Sequence, residues 1–384
     1  MVKVIVIGGG IIGCSTAFRL AQAGAQVTLL EARELASGTS STSFAWMNSN
    51  NKAPVEYHRL NVAGMAEHSR LREEFGSAPW LHVDGNVIWN SPSRGDASNE
   101  PAVPVSRELF NKKIQRLREW GYPVEMLTPA ELAAIHPDVR PEQSVERVAY
   151  FPTEGHVDVP HLVARLATAA RERGAEILIN QDVVEIMQDS GRVVGVRTAT
   201  GDTHLADVVV SCTGRWTDQV ADLTGHQIPL APTLGLLVVS KPVATTLRSL
   251  VHTTSVNLRP DGGSRVIMAS FEHDALLEWE MPQETLRGYA QEVMERATSI
   301  LPALAGSAIE SFKVGIRALT KDGLPAIGPV SGLEGFYVVV THSGVTMGPF
   351  IGQIVAREIL TGEMDERIAN FRPDRFLVGA ATSV

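Results

Sequence analysis

Residues 2–13 read VKVIVIGGGIIG, and this stretch decides the fold of the chain. A short apolar, β-branched run that ends in glycines is typical of a parallel strand buried on both faces. Residues 11–23 predict a helix that Gly24 ends, and residues 26–30 predict a second strand. The chain therefore opens with one βαβ unit.

Three glycines of this unit, Gly8, Gly10 and Gly13, have the spacing of the dinucleotide-binding fingerprint. In that fingerprint the first glycine makes a tight turn, the second admits a pyrophosphate, and the third lets the helix pack against the strand. The amides that open the helix have no partner within it and lie at the positive end of its dipole. The motif therefore predicts a site for the phosphates of a dinucleotide.

An acidic residue, Glu31, ends the second predicted strand. It lies near the offset of roughly 20 residues at which a carboxylate accepts hydrogen bonds from ribose hydroxyls, and it argues against a 2′-phosphate. The alternative is a glycine-rich turn that binds no ligand. Strand, glycines, helix, second strand and acid occur here in the expected order, which favours the nucleotide site.

Length and charge narrow the classes of partner. A chain of 384 residues predicts two domains with ample material for a core. A net charge of -9 gives no electrostatic reason to expect nucleic acid or an anionic membrane. A small-molecule partner is therefore favoured, and a homo-oligomer stays open.

Cysteine usage and hydropathy bear on the compartment. Cys14 and Cys212 are the two cysteines and lie far apart, so we expect no disulfide framework and a reducing cytoplasm. We expect neither a signal peptide before the first strand nor a membrane span, because no apolar run has the required length. The histidines and cysteines show no metal-ligand spacing, so no metal is expected.

The strand–helix alternation stops after the first part of the chain and returns near residue 150. This pattern predicts an α/β fold with a discontinuous, Rossmann-like nucleotide-binding domain and an inserted α+β substrate domain that carries a mostly antiparallel sheet. The predicted nucleotide-binding domain comprises residues 1–80, 150–225 and 310–384. The predicted substrate domain comprises residues 81–149 and 226–309.

Five further blocks carry a resemblance to a known family. In chain order they are residues 36–41 (ASGTSS), 155–158 (GHVD), 208–216 (VVVSCTGRW), 315–329 (GIRALTKDGLPAIGP) and 342–344 (HSG). With the opening motif, these blocks resemble the D-amino-acid oxidase, glycine oxidase and sarcosine oxidase family of FAD-dependent oxidoreductases. The resemblance covers about half of the chain.

The resemblance implies that the Rossmann-like domain binds FAD. Some relatives attach the flavin through a cysteine beside the position of Arg317 or through a histidine in the early loop, and neither is present here. Non-covalent FAD is therefore implied. The implied cofactor-binding residues are Gly8, Gly10, Ile11, Ile12, Gly13, Glu31, Ala32, Ser37, Gly38, Thr39, Ser40, Ser41, Val183, Thr213, Gly214, Trp216, Arg317, Gly344, Val345, Thr346 and Met347.

Physical readings of these blocks agree with the implied roles, and each has an alternative. The hydroxyl-rich loop at residues 37–43 suits a pyrophosphate and ribityl chain, but it could be a flexible surface loop. Val183 and Trp216 could simply be core residues. A helix that begins near Gly344 would aim its positive end at the flavin atoms that gain negative charge on reduction, but it could be an ordinary helix start.

The implied catalytic residues are Arg317, Asn48 and His342. Arg317 matches the family arginine that holds the substrate carboxylate, and its planar fork of donors suits that task; the alternative is a structural salt bridge. Two basic residues of N-methyl amino-acid oxidases are replaced here, by Gly348 near the last helix and by Asn48 in the early loop. Carboxylate binding is therefore expected from Arg317 with neutral donors such as Asn48, or with an anchor from the inserted domain. His342 is a candidate whose alternative is a satisfied polar core residue.

The hypothesis from the sequence is oxidation of the C–N bond of a small amino acid or N-substituted amino acid. Substrates of the glycine, sarcosine, D-amino acid, iminodiacetate or opine type all suit it. A hydride passes from the α-carbon to flavin N5, the imine hydrolyses, and oxygen or another acceptor reoxidises the flavin. This route depends on orientation rather than on a strong base. The alternatives are a nicotinamide-dependent dehydrogenase and a flavin-carrying electron-transfer subunit of a larger complex.

Overall fold

The computed structural model of the protein describes residues 1–89 and 107–376. The parts of the predicted domains that fall on residues 90–106 and 377–384 lie outside the described residues. The α-helices of the described part are α1 (Ile11–Gln22), α2 (Val55–Phe75), α3 (Arg107–Glu119), α4 (Pro129–Ile135), α5 (Val159–Arg171), α6 (Thr217–Asp222), α7 (Phe271–Asp274), α8 (Gln283–Ile300) and α9 (Gly344–Thr361).

The strands of the same residues form four sheets. They are β1 (Lys3–Ile7), β2 (Gln26–Glu31), β3 (Trp46–Met47), β4 (Leu81–His82), β5 (Asn86–Ile88), β6 (Glu125–Leu127), β7 (Val148–Phe151), β8 (Gly155–Val157), β9 (Glu176–Ile179), β10 (Val183–Asp189), β11 (Arg192–Thr198), β12 (Thr203–Leu205), β13 (Val208–Ser211), β14 (Thr233–Ser240), β15 (Leu250–His252), β16 (Asn257–Asp261), β17 (Arg265–Ala269), β18 (Ile309–Arg317), β19 (Ala326–Pro329) and β20 (Phe336–Val340).

The first strand lies in the middle of a six-stranded sheet with the order β19-β20-β13-β1-β2-β9. All neighbouring pairs are parallel except the pair of β19 with β20. Val4 and Val6 face a core shared with α1, α5 and α9, whereas Ile5 and Ile7 face a second core shared with β10 and β11. The apolar run of β1 is thus buried on both faces, as its sequence predicted.

The second large sheet has eight strands in the order β18-β14-β17-β16-β15-β5-β7-β6. Its neighbouring pairs are antiparallel except for β15 with β5, and α8 packs on it through Ala290, Val293 and Ala297. The fold class is therefore the predicted one. The strand β18 pairs with β14 along its length, so Arg317 is carried by the antiparallel sheet. The division into two domains at the predicted residues stays a prediction.

Close approach of helices places the start of α9 beside α1. A Cβ atom added at Gly352 would lie 2.7 Å from the backbone of Ser15, and one at Gly348 would lie 3.2 Å from the Ile11 side chain. A Cβ atom at Gly64 of α2 would lie 2.5 Å from the carbonyl oxygen of Thr346. Glycines at these contacts let three helices converge, so the N-termini of α1 and α9 lie at the same end of the sheet.

Local sequence signals agree with the structure at several turns and helix ends. Gly24 follows α1 with a φ of 86°, and Ser190 and Gly191 turn a hairpin with φ angles of 51° and 79°. Thr128 caps α4 in a reciprocal capping box. The last helix begins at Gly344, near its predicted start, because the turn after β20 leads directly into the helix. No helix among residues 1–89 and 107–376 combines the length and apolar character that a membrane crossing requires.

Candidate functional site

A cavity of about 1150 Å³ begins at the carboxyl ends of β1, β2 and β13 and continues under the antiparallel sheet. In parallel α/β sheets, ligands bind at this edge. The volume exceeds the roughly 300–1,000 Å³ of a pocket for a drug-sized ligand, so a dinucleotide and a small substrate could share it. Of the residues predicted from the sequence, all line the cavity except Gly13, Ser41 and Met347.

The glycine turn lies at the floor of this cavity. Gly8 has a φ of 102°, and a Cβ atom there would lie 2.7 Å from the carbonyl oxygen of Cys212. At Gly10 a Cβ atom would lie 3.2 Å from the Ser40 hydroxyl, within the space where a pyrophosphate would approach. Gly13 does not line the cavity because its Cα faces the strand, and a Cβ atom would lie 1.8 Å from the carbonyl oxygen of Gly8. The three glycines thus perform the three separate steric tasks of the fingerprint.

The carboxylate of Glu31 is held at the mouth of the turn. It accepts hydrogen bonds from the backbone amide of Gly9 at 2.6 Å and from that of Arg33 at 2.9 Å. A carboxylate has about four lone-pair sites, so these two bonds leave capacity for ribose hydroxyls. Ala32 lies beside it on the cavity wall.

The hydroxyl loop is tied to the first helix and to the antiparallel sheet. The Ser40 hydroxyl accepts a hydrogen bond from the amide of Ile11 at 3.1 Å, and the Thr39 hydroxyl donates to the carbonyl of Ile316 at 2.7 Å. The Ser41 hydroxyl instead donates to the carbonyl of Gly38 at 3.2 Å, inside the loop. These bonds run to α1 and β18, so the loop is a connected wall of the cavity.

An aromatic and cationic cluster forms the end of the cavity beside Val183. The Trp216 ring lies 3.2 Å from the Cβ position of Gly38, and the Arg215 and Arg33 guanidinium groups lie 3.7 Å and 5.4 Å from its centroid. Burial and the nearby Arg33 charge lower the pKa of Arg215. Two cations on one wall favour an anionic ligand. Arg215 lies in the block 208–216, but the sequence analysis assigned no role to either arginine.

The N-terminus of α9 borders the same cavity through Gly344, Val345 and Thr346. No side chain caps this helix, because the preceding Ser343 hydroxyl bonds to the Tyr57 hydroxyl at 2.7 Å. The first-turn amides therefore carry the positive end of the dipole without a side-chain acceptor. Met347 is fully buried in the core instead.

The guanidinium of Arg317 lies flat against β14. It donates to the carbonyl of Leu234 at 2.7 Å and to the Asp274 carboxylate at 2.5 Å. The Asp274 side chain is 6% exposed, and its other oxygen accepts from the amide of Leu236 at 2.7 Å. Arg317 therefore both forms a structural ion pair and lies on the cavity wall. Its role in substrate binding stays a prediction.

The other two catalytic candidates, Asn48 and His342, have different surroundings. The Asn48 amide group donates to the carbonyl of Trp46 at 3.4 Å, and its buried amide oxygen has no partner among the described residues. The amide group of Asn48 is thus directed at the Trp46 backbone, and its role as a donor for a substrate carboxylate stays a prediction. His342 is half-buried on the cavity wall. The Cα of Gly348 faces Ile11 of α1, so a side chain at this position would point at the helix.

Sequence reasoning missed the residues that the antiparallel sheet contributes. His252 of β15 and Asn257 of β16 line the cavity, and the His252 ring stacks on Trp46 with centroids 3.7 Å apart. Burial, with the Lys113 charge as a further cause, lowers the pKa of His252 well below 6.5. No motif marks these positions, because only strand pairing brings them to the cavity.

A glycine turn that can cradle phosphates, with an acid at the end of β2, is typical of a dinucleotide-dependent enzyme. Residues 3–358 match the family described as DAO, FAD dependent oxidoreductase, and the chain belongs to this family. The resemblance inferred from the motifs and the FAD cofactor are thereby confirmed. The nicotinamide-dependent alternative finds no support in this match.

Relatives of known activity share most of the chain. Over 366 residues the chain is 26% identical to glycine oxidase of Geobacillus kaustophilus, with 92% of this chain and 91% of that protein covered. It is 28% identical to the formaldehyde-forming 4-methylaminobutanoate oxidase of Paenarthrobacter nicotinovorans over 94% of this chain, which spans only 44% of that protein. L-Proline dehydrogenase from P. horikoshii superimposes with a TM-score of 0.83 at 24% identity, over 98% of each chain, which shows the shared fold.

The residues present fit FAD. The bare backbone at Gly10, the start of α1, the Glu31 carboxylate and the uncapped start of α9 lie along one continuous cavity. The cofactor contacts predicted residue by residue stay proposals. Among the described residues, no group of three or more His, Cys, Asp or Glu side chains could hold a metal ion.

Proposed function

We propose that the protein oxidises the C–N bond of an amino acid or an N-substituted amino acid, with FAD bound non-covalently. The observation that carries this proposal is the single cavity that connects the glycine turn and the start of α9 to Arg317. When bound, FAD supplies the acceptor for the hydride that leaves the substrate carbon. The oxidised substrate is an imine, which hydrolyses to a carbonyl compound and an amine or ammonia.

The chain's own residues position the substrate. Arg317 binds the carboxylate with charge-assisted hydrogen bonds, and its guanidinium is already held in place by Leu234 and Asp274. Because the Asp274 pair offsets part of the charge, Arg317 acts by orientation more than by bulk attraction. Fixing the carboxylate fixes which carbon faces the cofactor, and such positioning can supply much of the rate enhancement.

The family relatives support this substrate class. Glycine, 4-methylaminobutanoate and L-proline, the compounds in the names of the relatives, each combine an amine with a carboxylate. These compounds share a carboxylate, which an arginine can bind, and a C–N bond that can be oxidised. The candidates for this chain are therefore glycine, sarcosine, D-amino acids, iminodiacetate and opine-type amino acids, with oxygen or another acceptor to reoxidise the flavin.

Anaerobic bleaching of the FAD-loaded protein tests the proposal. A panel of those amino acids is mixed with the protein, the flavin absorbance is followed, and oxygen is then admitted. Bleaching by at least one amino acid is expected, and fast recolouring by oxygen would indicate an oxidase. Release of FAD on acid denaturation is expected for non-covalent attachment. If no member of the panel bleaches the flavin, the proposed activity is wrong.

Arg317→Leu tests the carboxylate site, with Arg317→Lys as the matched control. We expect Leu to lower kcat/KM about 100-fold or more, since a hydrogen bond to a charged group is worth about 1.5–3 kcal/mol and two such bonds are lost. Lys keeps the charge but loses the fork, so an intermediate loss is expected. The FAD content should not change. Equal kcat/KM values in the Leu variant and the unmodified protein would remove Arg317 from this role.

A further inference from the structure

Away from the arginines beside Trp216, two cations of the described residues line the cavity from different walls. Arg317 is carried by β18 of the antiparallel sheet, and Lys52 by the segment that joins β3 to α2. Among the described residues, Arg317 pairs with Asp274, whereas no carboxylate lies within 4.0 Å of the Lys52 amine. Lys52 is half-buried, so its charge has lost part of its water shell without gaining an acid. A negative group of a bound molecule would stabilise this charge.

The Lys52 amine lies on the side of the cavity where α9 begins. Its Nζ atom is 5.8 Å from the centroid of the Tyr57 ring, which also lines the cavity. The Tyr57 hydroxyl bonds to the hydroxyl of Ser343, the residue directly before α9, at 2.7 Å. The first-turn amides of α9 have no side-chain acceptor. The Lys52 charge and the positive end of the helix dipole therefore favour an anion on the same wall.

The segment that carries Lys52 is anchored to the protein interior. The backbone amide of Lys52 donates to the carbonyl of Ser49 at 3.3 Å. The amides of Ser49 and Asn50 donate to the buried Glu154 carboxylate at 3.1 Å and 3.0 Å. Lys113 of α3, which is also buried, donates to the side-chain oxygen of Asn50 at 2.6 Å. The backbone under Lys52 is therefore held in place before a ligand arrives, which lowers the entropy cost of binding.

The acid of this anchor, Glu154, does not serve the Lys52 amine. Glu154 is fully buried, and besides the two backbone amides it accepts hydrogen bonds from the side chains of Asn50, Asn86, Tyr122 and Trp46. A carboxylate has about four lone-pair sites, so these donors already fill it. The counter-charge for Lys52 is therefore expected from a molecule bound in the cavity.

We propose that Lys52 binds a second carboxylate of the substrate, while Arg317 binds the first. This inference rests on the proposed function for the role of Arg317, and it narrows the substrate class to amino acids with two carboxylates. Iminodiacetate, opine-type amino acids and acidic D-amino acids meet this requirement. Glycine and sarcosine carry one carboxylate and would leave Lys52 without a counter-charge. Lys52 is thus a specificity-determining residue.

Binding of unreactive probes to the FAD-loaded protein tests the proposal. The Kd is measured from the perturbation of the flavin spectrum with two pairs of thioethers, which have no C–N bond to oxidise. Thiodiglycolate is paired with (methylthio)acetate, and 3,3′-thiodipropionate with 3-(methylthio)propionate, so the members of each pair differ by one carboxylate. Lys52→Met removes the charge at similar length, and Lys52→Arg is the matched control that keeps it.

We expect the unmodified protein to bind the dicarboxylate of at least one pair about tenfold more tightly than its partner, as for one hydrogen bond between charged groups. Lys52→Met should remove that difference and change the Kd of the monocarboxylate less than about twofold. Lys52→Arg should stay within about threefold of the unmodified protein. Dicarboxylates that bind no more tightly than their partners, or an equal effect of Met on both members of each pair, would overturn the inference.

Two further readouts separate the possible failures. Absence of bleaching with every amino acid contradicts the proposed function, whereas the Kd values of the unreactive thioethers still judge Lys52. Arg317→Leu should weaken both members of each pair, because both carry the first carboxylate. The flavin-to-protein ratio of Lys52→Met should equal that of the unmodified protein. A lower ratio would assign the Lys52 charge to the cofactor and overturn the inference.

Discussion

Gly235 offers a way to displace Arg317 without removing it. A Cβ atom at this position would lie 2.6 Å from Nη2 and 2.9 Å from the central carbon of the guanidinium. The Gly235→Ala change requires no left-handed backbone, and the atoms in conflict are the far end of a flexible side chain. The guanidinium therefore moves, while β14 and its pairing with β18 stay in place.

The size of the effect follows from these distances. Ordinary contact begins at 3.4 Å, so the guanidinium must move by about 0.8 Å. Its bonds to Leu234 and Asp274, 2.7 Å and 2.5 Å long, cannot both survive that shift. A misplacement of about 1 Å in a positioning group can cost about 100-fold in rate. We expect kcat/KM for a carboxylate-bearing amine to fall 10- to 100-fold, or about 1.4–2.8 kcal/mol.

The assay is steady-state or anaerobic reduction kinetics with the best amino acid of the panel, together with the flavin-to-protein ratio. Gly288→Ala is the matched control, because nothing lies within 4 Å of its Cβ position on the exposed face of α8. It should leave the kinetics unchanged and raise the stability by up to about 1 kcal/mol. Unchanged kcat/KM in Gly235→Ala would refute the positioning argument for Arg317. A loss of FAD would show instead that the change reaches the cofactor.

Two other predictions concern the cofactor fold and its pH dependence. Gly13→Ala places a Cβ atom 1.8 Å from the carbonyl oxygen of Gly8, and backbone cannot yield as a side chain does; we expect little FAD and low folded yield, and a normal flavin-to-protein ratio would contradict this. Burial lowers the pKa of His68 to about 4, so the unfolded chain binds its proton first. The free energy of unfolding should therefore fall as the pH drops from about 6.5 towards 4. Urea unfolding at pH 7.5 and at pH 5.5 measures this loss, and we expect the loss between the two pH values to be about 1 kcal/mol smaller in His68→Gln than in the unmodified protein. An identical pH dependence in both proteins would rule out His68 as a cause.

Much of the nucleotide end could be predicted because its signals are local. The run from β1 through Gly8 and Gly13 to Glu31 encodes strand, turn, helix and strand within 30 neighbouring residues. The family blocks supplied the loop at residues 37–41 and the start of α9, and these residues reached the same cavity, apart from Ser41 and Met347. The Ser41 side chain points into the loop and the Met347 side chain points into the core, because a motif specifies positions but not the direction of every side chain.

The substrate end was decided by tertiary structure. Arg317 could be named from its block, but its partner Asp274 lies 43 residues away on a different element. Asn86 meets His252 across 166 residues of chain, and His252 meets Asn257 through the register of β15 and β16. Strand register and side-chain burial depend on the whole sheet, so no short pattern in the sequence records them.

The sequence alone therefore determined the dinucleotide fold, because bare glycine backbone and an acid at a set offset are local requirements of a phosphate and a ribose. Its resemblance to a known family indicated the FAD cofactor. Only the tertiary structure decided that Arg317 is paired with Asp274 and that His252 and Asn257 line the same cavity. Those properties arise when distant strands pair and exclude water, and the hydrogen bonds that remain unmade are set by that packing.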